Sequence, residues 1–264
     1  MSDTISIAIK NSIATVALNR AEKKNAMSIE MMEDLIECGE TLKEEPDVRA
    51  IILTGEGDSF CAGIDLSDLM KFAGNLDQAR ELMATPLGDH GANIFQRPAT
   101  VWRELPVPVI AAIKGNCLGA GAQLCLGADF RIAAPDTCYS IMEAKWGLIP
   151  DMGISQSLPK LLPADRAMEL IMTGRVLSAE EALRFGLFTE ISKDPLARAE
   201  ELAETLMLST PEALAASKQM VHQLWYNPKE GLQLEAHLQS RLIGSPNQME
   251  KTMASMQKRD PIFK

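Results

Sequence analysis

The segment that decides the fold is IKGNCLGAGAQLCLGADFRIA, residues 113 to 133. The apolar run Val109 to Lys114 predicts a buried strand, a short helix follows to about Ala128, and Asp129 to Ala133 predicts the next strand. The glycine-rich turn from Gly115 to Gly121 lets the backbone approach a ligand closely. The helix that follows offers N–H groups that favour negative charge. The segment therefore predicts a β-α-β unit with an anion-accepting turn.

Two other interpretations of this turn stay open. The pair Gly119-x-Gly121 occurs in dinucleotide-binding fingerprints, although Leu124 stands where the third glycine would be expected. Close packing of a strand on a helix would also favour glycine there.

A second glycine turn, FCAGIDL at residues 60 to 66, follows a predicted strand from Ala50 to Thr54. Two strand-to-helix turns that each expose an N–H group can jointly hold one oxyanion. Together they favour chemistry that develops negative charge on an oxygen.

Composition excludes several classes of protein. The 264 residues, 46% of them hydrophobic, can bury one sizeable core, or one core with a small satellite. The net charge of −10 argues against a nucleic-acid partner, whose phosphates require a basic surface. Apolar runs are shorter than the ~18 residues of a membrane helix, and the first ten residues predict a strand rather than a secretory leader. We therefore expect a cytoplasmic protein without a membrane partner.

Cysteine and histidine give no sign of a metal site. The five cysteines form no C-x-x-C pair, which predicts reduced thiols packed as small apolar side chains. The three histidines are widely spaced, so catalytic zinc is not expected.

The chain divides into two regions. Alternating apolar residues around Lys10 to Ser12 predict a hairpin, and Ser28 predicts the cap of a helix reaching about Glu45. Strands and helices alternate to about residue 192, which predicts an α/β layered fold, and the rest is helical. Two further helix starts are predicted at Ser178, with Glu181 in a capping box, and at Thr210 before Pro211. Residues 67 to 104, with several glycines and prolines, predict a long irregular lid.

Four stretches carry a resemblance to a known family. They are LNRAEKKNAM (18 to 27), FCAGIDL (60 to 66), the segment 113 to 133, and YSIMEAKWGLIPDMG (139 to 153). In this order and spacing they resemble the crotonase (enoyl-CoA hydratase/isomerase) superfamily over roughly residues 5 to 260.

The resemblance implies an α/β spiral of repeated ββα units at 1 to 194 and a C-terminal helical oligomerisation region at 195 to 264. It also implies an acyl-CoA substrate, no cofactor beyond the coenzyme A of that substrate, and a homotrimer or a dimer of trimers.

Residue by residue, the resemblance implies that the N–H groups of Ile64 and Ala120 form an oxyanion hole. The hydratase branch carries catalytic carboxylates at the positions of Gln123 and Glu143, so this chain lacks the first of them. Asp151 stands where hydratases usually carry glycine and dienoyl-CoA isomerases carry aspartate. The isomerase branch also has an acid at the position of Gln123, so neither match is complete.

Contacts with coenzyme A are implied for six residues, although a solvated charge cluster would also explain the cations among them. They are Arg20, Lys23, Ala62, Asp65, Leu66 and Lys258.

We expect double-bond isomerisation of an enoyl- or dienoyl-CoA, with Glu143 and Asp151 as the proton-transfer pair. The apolar neighbours Met142 and Trp146 predict a raised pKa for Glu143. Hydration of a 2-enoyl-CoA is the alternative reaction, and Glu143 and Asp151 could also be ordinary surface or capping carboxylates. The alternative of a different class is a catalytically silent protein that binds coenzyme A or a partner, which Gln123 favours.

Overall fold

The computed structural model describes residues 3–88, 91–224, 241 and 244–264. Strand β1 (Ile5–Lys10) and strand β2 (Ile13–Leu18) form the predicted hairpin. Asn11 and Ser12 make its two-residue turn with φ values of 51° and 61°, which matches the right-handed twist of the strands. Among the described residues, strand β1 pairs only with β2 at the edge of the sheet, and its Ile7 and Ile9 stay exposed. The alternation of apolar residues therefore predicts the strand correctly, but the apolar face of the strand is not buried.

In the described part of the chain the main sheet has six strands in the order β1-β2-β3-β4-β6-β9, and every pairing beyond the hairpin is parallel. Its other members are β3 (Ala50–Gly55), β4 (Val109–Ile113), β6 (Phe130–Ala133) and β9 (Glu190–Ile191). All residues of β3 and β4 are buried, as expected for parallel strands covered on both faces.

Sequence reasoning missed a second, three-stranded sheet. It consists of β5 (Asn116–Leu118), β7 (Cys138–Ser140) and β8 (Leu177–Ser178). These strands have only two or three residues, too few for a periodic pattern to appear. Strands β4 and β5 with helix α5 (Ala120–Cys125) make one ββα unit, and α5 is shorter than predicted.

The predicted helix starts are present. Helix α1 (Ile29–Lys43) is capped by Ser28, whose hydroxyl accepts from the N–H of Met31. The hydroxyls of Ser178 and Thr210 cap the helices that follow them. The carboxylate of Glu181 binds Arg175 at 3.0 Å, so the capping box has only its first half. The later helices are α6 (Ala164–Thr173), α7 (Ala179–Arg184), α8 (Pro195–Met207), α9 (Pro211–Leu224) and α10 (Pro246–Gln257).

The prediction that residues 67 to 104 are irregular is wrong, and their role as a lid stays a prediction. Three helices occupy most of it: α2 (Leu66–Gly74), α3 (Leu76–Ala84) and α4 (Arg97–Glu104). Gly74 ends a helix rather than marking a loop. Helix α4 belongs to the core, because Trp102 is fully buried and the buried guanidinium of Arg97 is paired with Glu40 and Glu104.

The C-terminal region begins against the main sheet. Ala199 and Ala203 of α8 pack in one cluster with apolar residues of β3, β4 and β6. That residues 195 to 264 form a separate oligomerisation region stays a prediction. Four cysteines are buried as expected, whereas Cys138 is exposed. Within the described residues no helix is long and apolar enough to cross a membrane.

Gly127 gives a test of how α4 packs on α5. A Cβ atom at Gly127 would lie 2.0 Å from the carbonyl oxygen of Ala99 in α4. We expect Gly127→Ala to lower the free energy of unfolding by about 1 to 3 kcal/mol, the usual cost of overpacking. Equilibrium urea denaturation measures it. The control is Gly74→Ala, where a Cβ atom meets nothing within 4 Å. Equal stability of the two variants would contradict this packing.

Candidate active site

The two glycine turns lie side by side. Cys61 and Cys117 form an isolated parallel bridge. The N–H of Cys61 donates to Asn116 at 2.9 Å, and the N–H of Leu118 donates back to Cys61 at 3.0 Å. A Cβ atom at Gly121 would lie 2.6 Å from that of Cys61, so this approach requires glycine. The structure thus brings together the two turns that the sequence predicted to cooperate.

Each turn leaves one N–H group without a protein acceptor. The carbonyl of Gly63 accepts from the N–H of Met27 at 2.7 Å, and the N–H of Asp65 donates to the carbonyl of Met27 at 2.8 Å. The N–H of Ile64, which lies between them, therefore points away from Met27. Gly119 donates to the carbonyl of Ser140 at 2.8 Å, and Ala120 opens helix α5. In the part of the chain that the structure describes, the N–H groups of Ile64 and Ala120 have no hydrogen-bond partner. Both are available to a ligand oxygen.

Gln123 links three segments of the site. It is 1% exposed and lies one turn beyond Ala120 on α5. Its Nε2 donates to Oε1 of Glu143 at 2.7 Å, and its own Oε1 accepts from the N–H of Met152 at 2.9 Å. The amide therefore joins helix α5 to both acid-bearing loops. Sequence reasoning missed Met152, because a backbone donor leaves no signature in residue type.

Glu143 presents a free carboxylate oxygen beside the turn. Its Oε2 is buried and has no hydrogen-bond partner among the described residues, while its Oε1 lies 3.4 Å from where a Cβ atom of Gly119 would be. Burial raises the pKa of Glu143, the Asp151 charge raises it further, and the Gln123 hydrogen bond opposes the shift. The predicted direction is confirmed. Trp146 is 54% exposed, so it contributes less to that burial than expected.

Asp151 is the second carboxyl group. The residue keeps contact with solvent, yet the surrounding protein excludes enough water to raise its pKa. Since its charge acts on Glu143, the two groups share one electrostatic environment. One carboxyl group is thus enclosed and the other more open.

Arg20 and Asp65, both predicted to contact coenzyme A, bind each other. Their side chains are 15% and 8% exposed and meet at 2.7 Å, and Arg20 also donates to the carbonyl of Ala26. The Ser67 hydroxyl and the Arg20 guanidinium hold the pKa of Asp65 well below its usual range. Lys23 is 53% exposed and lies 3.5 Å from Asp65, which leaves it the more accessible cation.

The remaining predicted contacts lie apart from this ion pair. Ala62 is half-buried and donates to the carbonyl of Lys24 at 3.0 Å, and the exposed Leu66 opens α2. Lys258 is exposed at the end of α10 with φ at 53°. Among the described residues, no three His, Cys, Asp or Glu side chains converge on a position for a metal ion.

The chain belongs to the enoyl-CoA hydratase/isomerase family, whose model matches residues 8–264. It is 33% identical over 260 residues to the mitochondrial Delta(3,5)-Delta(2,4)-dienoyl-CoA isomerase of Mus musculus, covering 93% of this chain and 76% of that protein. It is 32% identical over 276 residues to carnitinyl-CoA dehydratase of Escherichia coli K12, covering 100% and 99%.

The fold agrees with solved structures of the same family. A crystal structure of enoyl-CoA hydratase from Bacillus anthracis superposes with a TM-score of 0.89 at 33% identity, covering 99% of each chain. The resemblance drawn from the four sequence stretches and the crotonase-type fold class are both confirmed.

The raised pKa of Glu143 has a consequence for stability. A carboxyl group whose pKa is higher in the folded state destabilises that state once pH rises above the pKa of the unfolded state. The destabilisation reaches its full size when pH exceeds the pKa of the folded state. We expect Glu143→Gln to be more stable than wild type at pH 7, and this advantage to shrink towards about pH 4. Urea denaturation at both pH values measures it. The control, exposed Glu180→Gln, should show a smaller difference, and an advantage that grows on acidification would contradict the argument.

Proposed function

We propose that this protein is an acyl-CoA double-bond isomerase that moves the carbon–carbon double bond of an enoyl- or dienoyl-CoA through an enolate. One observation carries the proposal. Glu143 keeps one buried oxygen without a partner beside the glycine turn, in the described part of the chain, while the neutral amide of Gln123 holds the other. The site thus has one oriented base, at the position where an α-proton would be removed.

The two unpaired N–H groups suit the substrate's thioester oxygen. An α-proton of a thioester is hard to remove because the enolate is high in energy. The N–H groups of Ile64 and Ala120 would bind the oxygen as it gains charge, and each such donor typically lowers the barrier by ~3 to 4 kcal/mol.

Proton transfer needs one group at each end of the shifting double bond. Glu143 takes the proton from C2 through Oε2, and the electron pair moves into the enolate held by the turns. Asp151 then delivers a proton to the distal carbon, which restores the thioester carbonyl with the double bond moved. Glu143 is left protonated and Asp151 ionised, and exchange with solvent through the more open Asp151 resets both. Raised pKa values suit this cycle, because they make Glu143 a stronger base and help Asp151 hold its proton.

Gln123 argues against efficient hydration. An amide does not donate or accept protons at neutral pH, and this one already uses its oxygen on Met152 and its nitrogen on Glu143. Hydration remains the second candidate, because the charge of Asp151 acts on Glu143 and the pair could activate a water molecule. The relatives do not distinguish between the two reactions, because the isomerase and the dehydratase are 33% and 32% identical to this chain.

Coenzyme A binding is part of the proposal. Lys23 is an exposed cation near the turn that carries Ile64 and suits a phosphate, with Ala62 and Leu66 alongside. We assign to Arg20 and Asp65 the task of fixing the turn that carries Ile64, because they are already paired. Lys258 would act at a neighbouring subunit of a trimer or a dimer of trimers. The chemistry requires no cofactor beyond the substrate's coenzyme A, and a cytoplasmic location is consistent with it.

Turnover of three substrates tests the reaction class. We expect wild type to isomerise 3-enoyl-CoA and 3,5-dienoyl-CoA faster than it hydrates crotonyl-CoA, followed by absorbance and product analysis. Glu143→Gln should lower isomerisation by about 10² to 10⁴-fold, the usual contribution of a general base. The exposed Glu180→Gln serves as control. Faster hydration would identify a hydratase, and coenzyme A binding without turnover of any substrate would identify a silent binding protein.

Substitutions at residues 123 and 151 test which carboxyl group transfers which proton. Gln123→Glu places a second carboxyl group against Glu143, where the two must share a proton, and we expect hydratase activity to appear. Asp151→Asn keeps the shape but removes the proton donor, and we expect isomerisation to fall by about 100-fold or more. Steady-state kcat for both reactions measures each effect. Unchanged isomerisation in Asp151→Asn would exclude Asp151 from proton transfer.

A further inference from the structure

A large pocket lies outside the catalytic site. It has a volume of about 750 Å³ and lies between α4, α9 and the loop from residue 153 to 160. None of the proposed catalytic or oxyanion residues is among the described residues that line it. Gly153 belongs to its wall, two residues beyond Asp151, so the pocket borders the acid-bearing loop.

Positive charge dominates this pocket, although the whole chain carries −10. Four cations among the described residues line it: Lys43, Arg103, Lys160 and Lys218. The carboxylate on its wall, Glu104, is already engaged with Arg97 at 2.9 Å and lies 3.9 Å from Lys43.

Asp129, beneath the pocket, is also fully engaged. Its Oδ2 meets Lys218 at 2.9 Å and accepts from the N–H of Val109 at 2.8 Å, while its Oδ1 meets Nε2 of His222 at 2.7 Å. Both oxygens of Asp129 are therefore hydrogen-bonded, and its direct ion pair is with Lys218, while its charge acts on Arg103 from a greater distance.

His222 supplies no negative charge to Arg103 or Lys160. The guanidinium of Arg103 can only donate, so the 2.9 Å contact from its Nη2 makes Nδ1 of His222 an acceptor. The proton of the neutral ring then sits on Nε2 and is donated to Asp129. Lys160 donates to the carbonyl of His222 at 2.7 Å, a contact that carries no negative charge.

In the described part of the chain, Arg103 and Lys160 thus have no direct ion-pair partner, although the charge of Asp129 still acts on Arg103. Among the described residues neither has a carboxylate within 4.0 Å, although both are partly buried. Burial and the neighbouring Arg103 charge lower the pKa of Lys160 to about 8. Two adjacent, partly dehydrated cations are unfavourable unless an anion joins them.

We propose that this pocket binds a phosphate monoester through Arg103 and Lys160. Two cations match the double charge of a phosphate group, and the fork of a guanidinium matches two of its oxygens. The volume exceeds that of phosphate alone and is typical of a site for an organic ligand. Hydroxyl and amide side chains of Thr100, Ser155 and Gln156 on the wall can contact its organic part.

Calorimetric titration of the full chain in phosphate-free buffer tests the proposal. The probes are inorganic phosphate, glycerol 3-phosphate and coenzyme A, with acetate as the singly charged comparison. We expect saturable binding of both small phosphates and weaker binding of acetate. Arg103→Gln and Lys160→Gln should each weaken phosphate by at least about tenfold, the usual loss for one charge-assisted hydrogen bond. The exposed Lys193→Gln is the matched control.

Lys160→Gln keeps a donor for the His222 carbonyl, so it remains informative if Arg103→Gln does not fold, which thermal melting reports. Coenzyme A that competes with phosphate in wild type identifies a nucleotide phosphate as the ligand, and lack of competition points to another monoester. Three results would each overturn the proposal. They are a lack of saturable phosphate binding, equal phosphate binding by wild type and folded Lys160→Gln, and acetate binding as tight as that of phosphate.

Discussion

The bridge between Cys61 and Cys117 is the contact on which the site depends. Two backbone hydrogen bonds hold the turn after β3 against the turn after β4, and glycine at position 121 removes the side chain that would separate them. The parallel sheet makes the bridge possible, because it ends adjacent strands at the same edge. Two N–H groups that are unremarkable in their own turns thereby become neighbours.

Gln123 adds a second constraint of a different kind. A buried amide with both ends bonded fixes its partners, because releasing either would leave a polar group without water or protein. It therefore orients the Glu143 carboxylate without competing for its proton, and it ties the loop next to Asp151 to the same helix. The second oxygen of Glu143 is buried and has no hydrogen-bond partner among the described residues. Burial of such an oxygen destabilises the fold, which is typical of a group kept for function.

The cations of this acidic chain lie in two different electrostatic environments. Near the glycine turn at residues 60 to 66, Arg20 is neutralised by Asp65 within the protein, so its charge serves structure. Between α4 and α9, Asp129 and Glu104 form their ion pairs with other cations, and within the described residues Arg103 and Lys160 have no carboxylate within 4.0 Å. The sequence contains ample carboxylates for both places, so only their spatial assignment makes the two regions electrostatically opposite.

The sequence by itself determined the hairpin, the α/β alternation, the helix caps at Ser28, Ser178 and Thr210, and the family. These follow from local periodicity, from side chains that bond their own backbone, and from glycine turns, all of which act within a few residues. It misjudged residues 67 to 104, because glycine and proline mark helix ends as readily as loops.

Only the tertiary structure decided the partners. Pairing of the short strand β5 with β7, the capture of Arg20 by Asp65, and the bond from Met152 to Gln123 join residues 22 to 45 positions apart. The buried Glu143 oxygen and the Arg103 guanidinium, which lack a hydrogen-bond partner and an adjacent carboxylate respectively among the described residues, depend in the same way on what packs around them. Such contacts are set by how the elements stack, and neither residue type nor spacing records which polar groups are left over when stacking is complete.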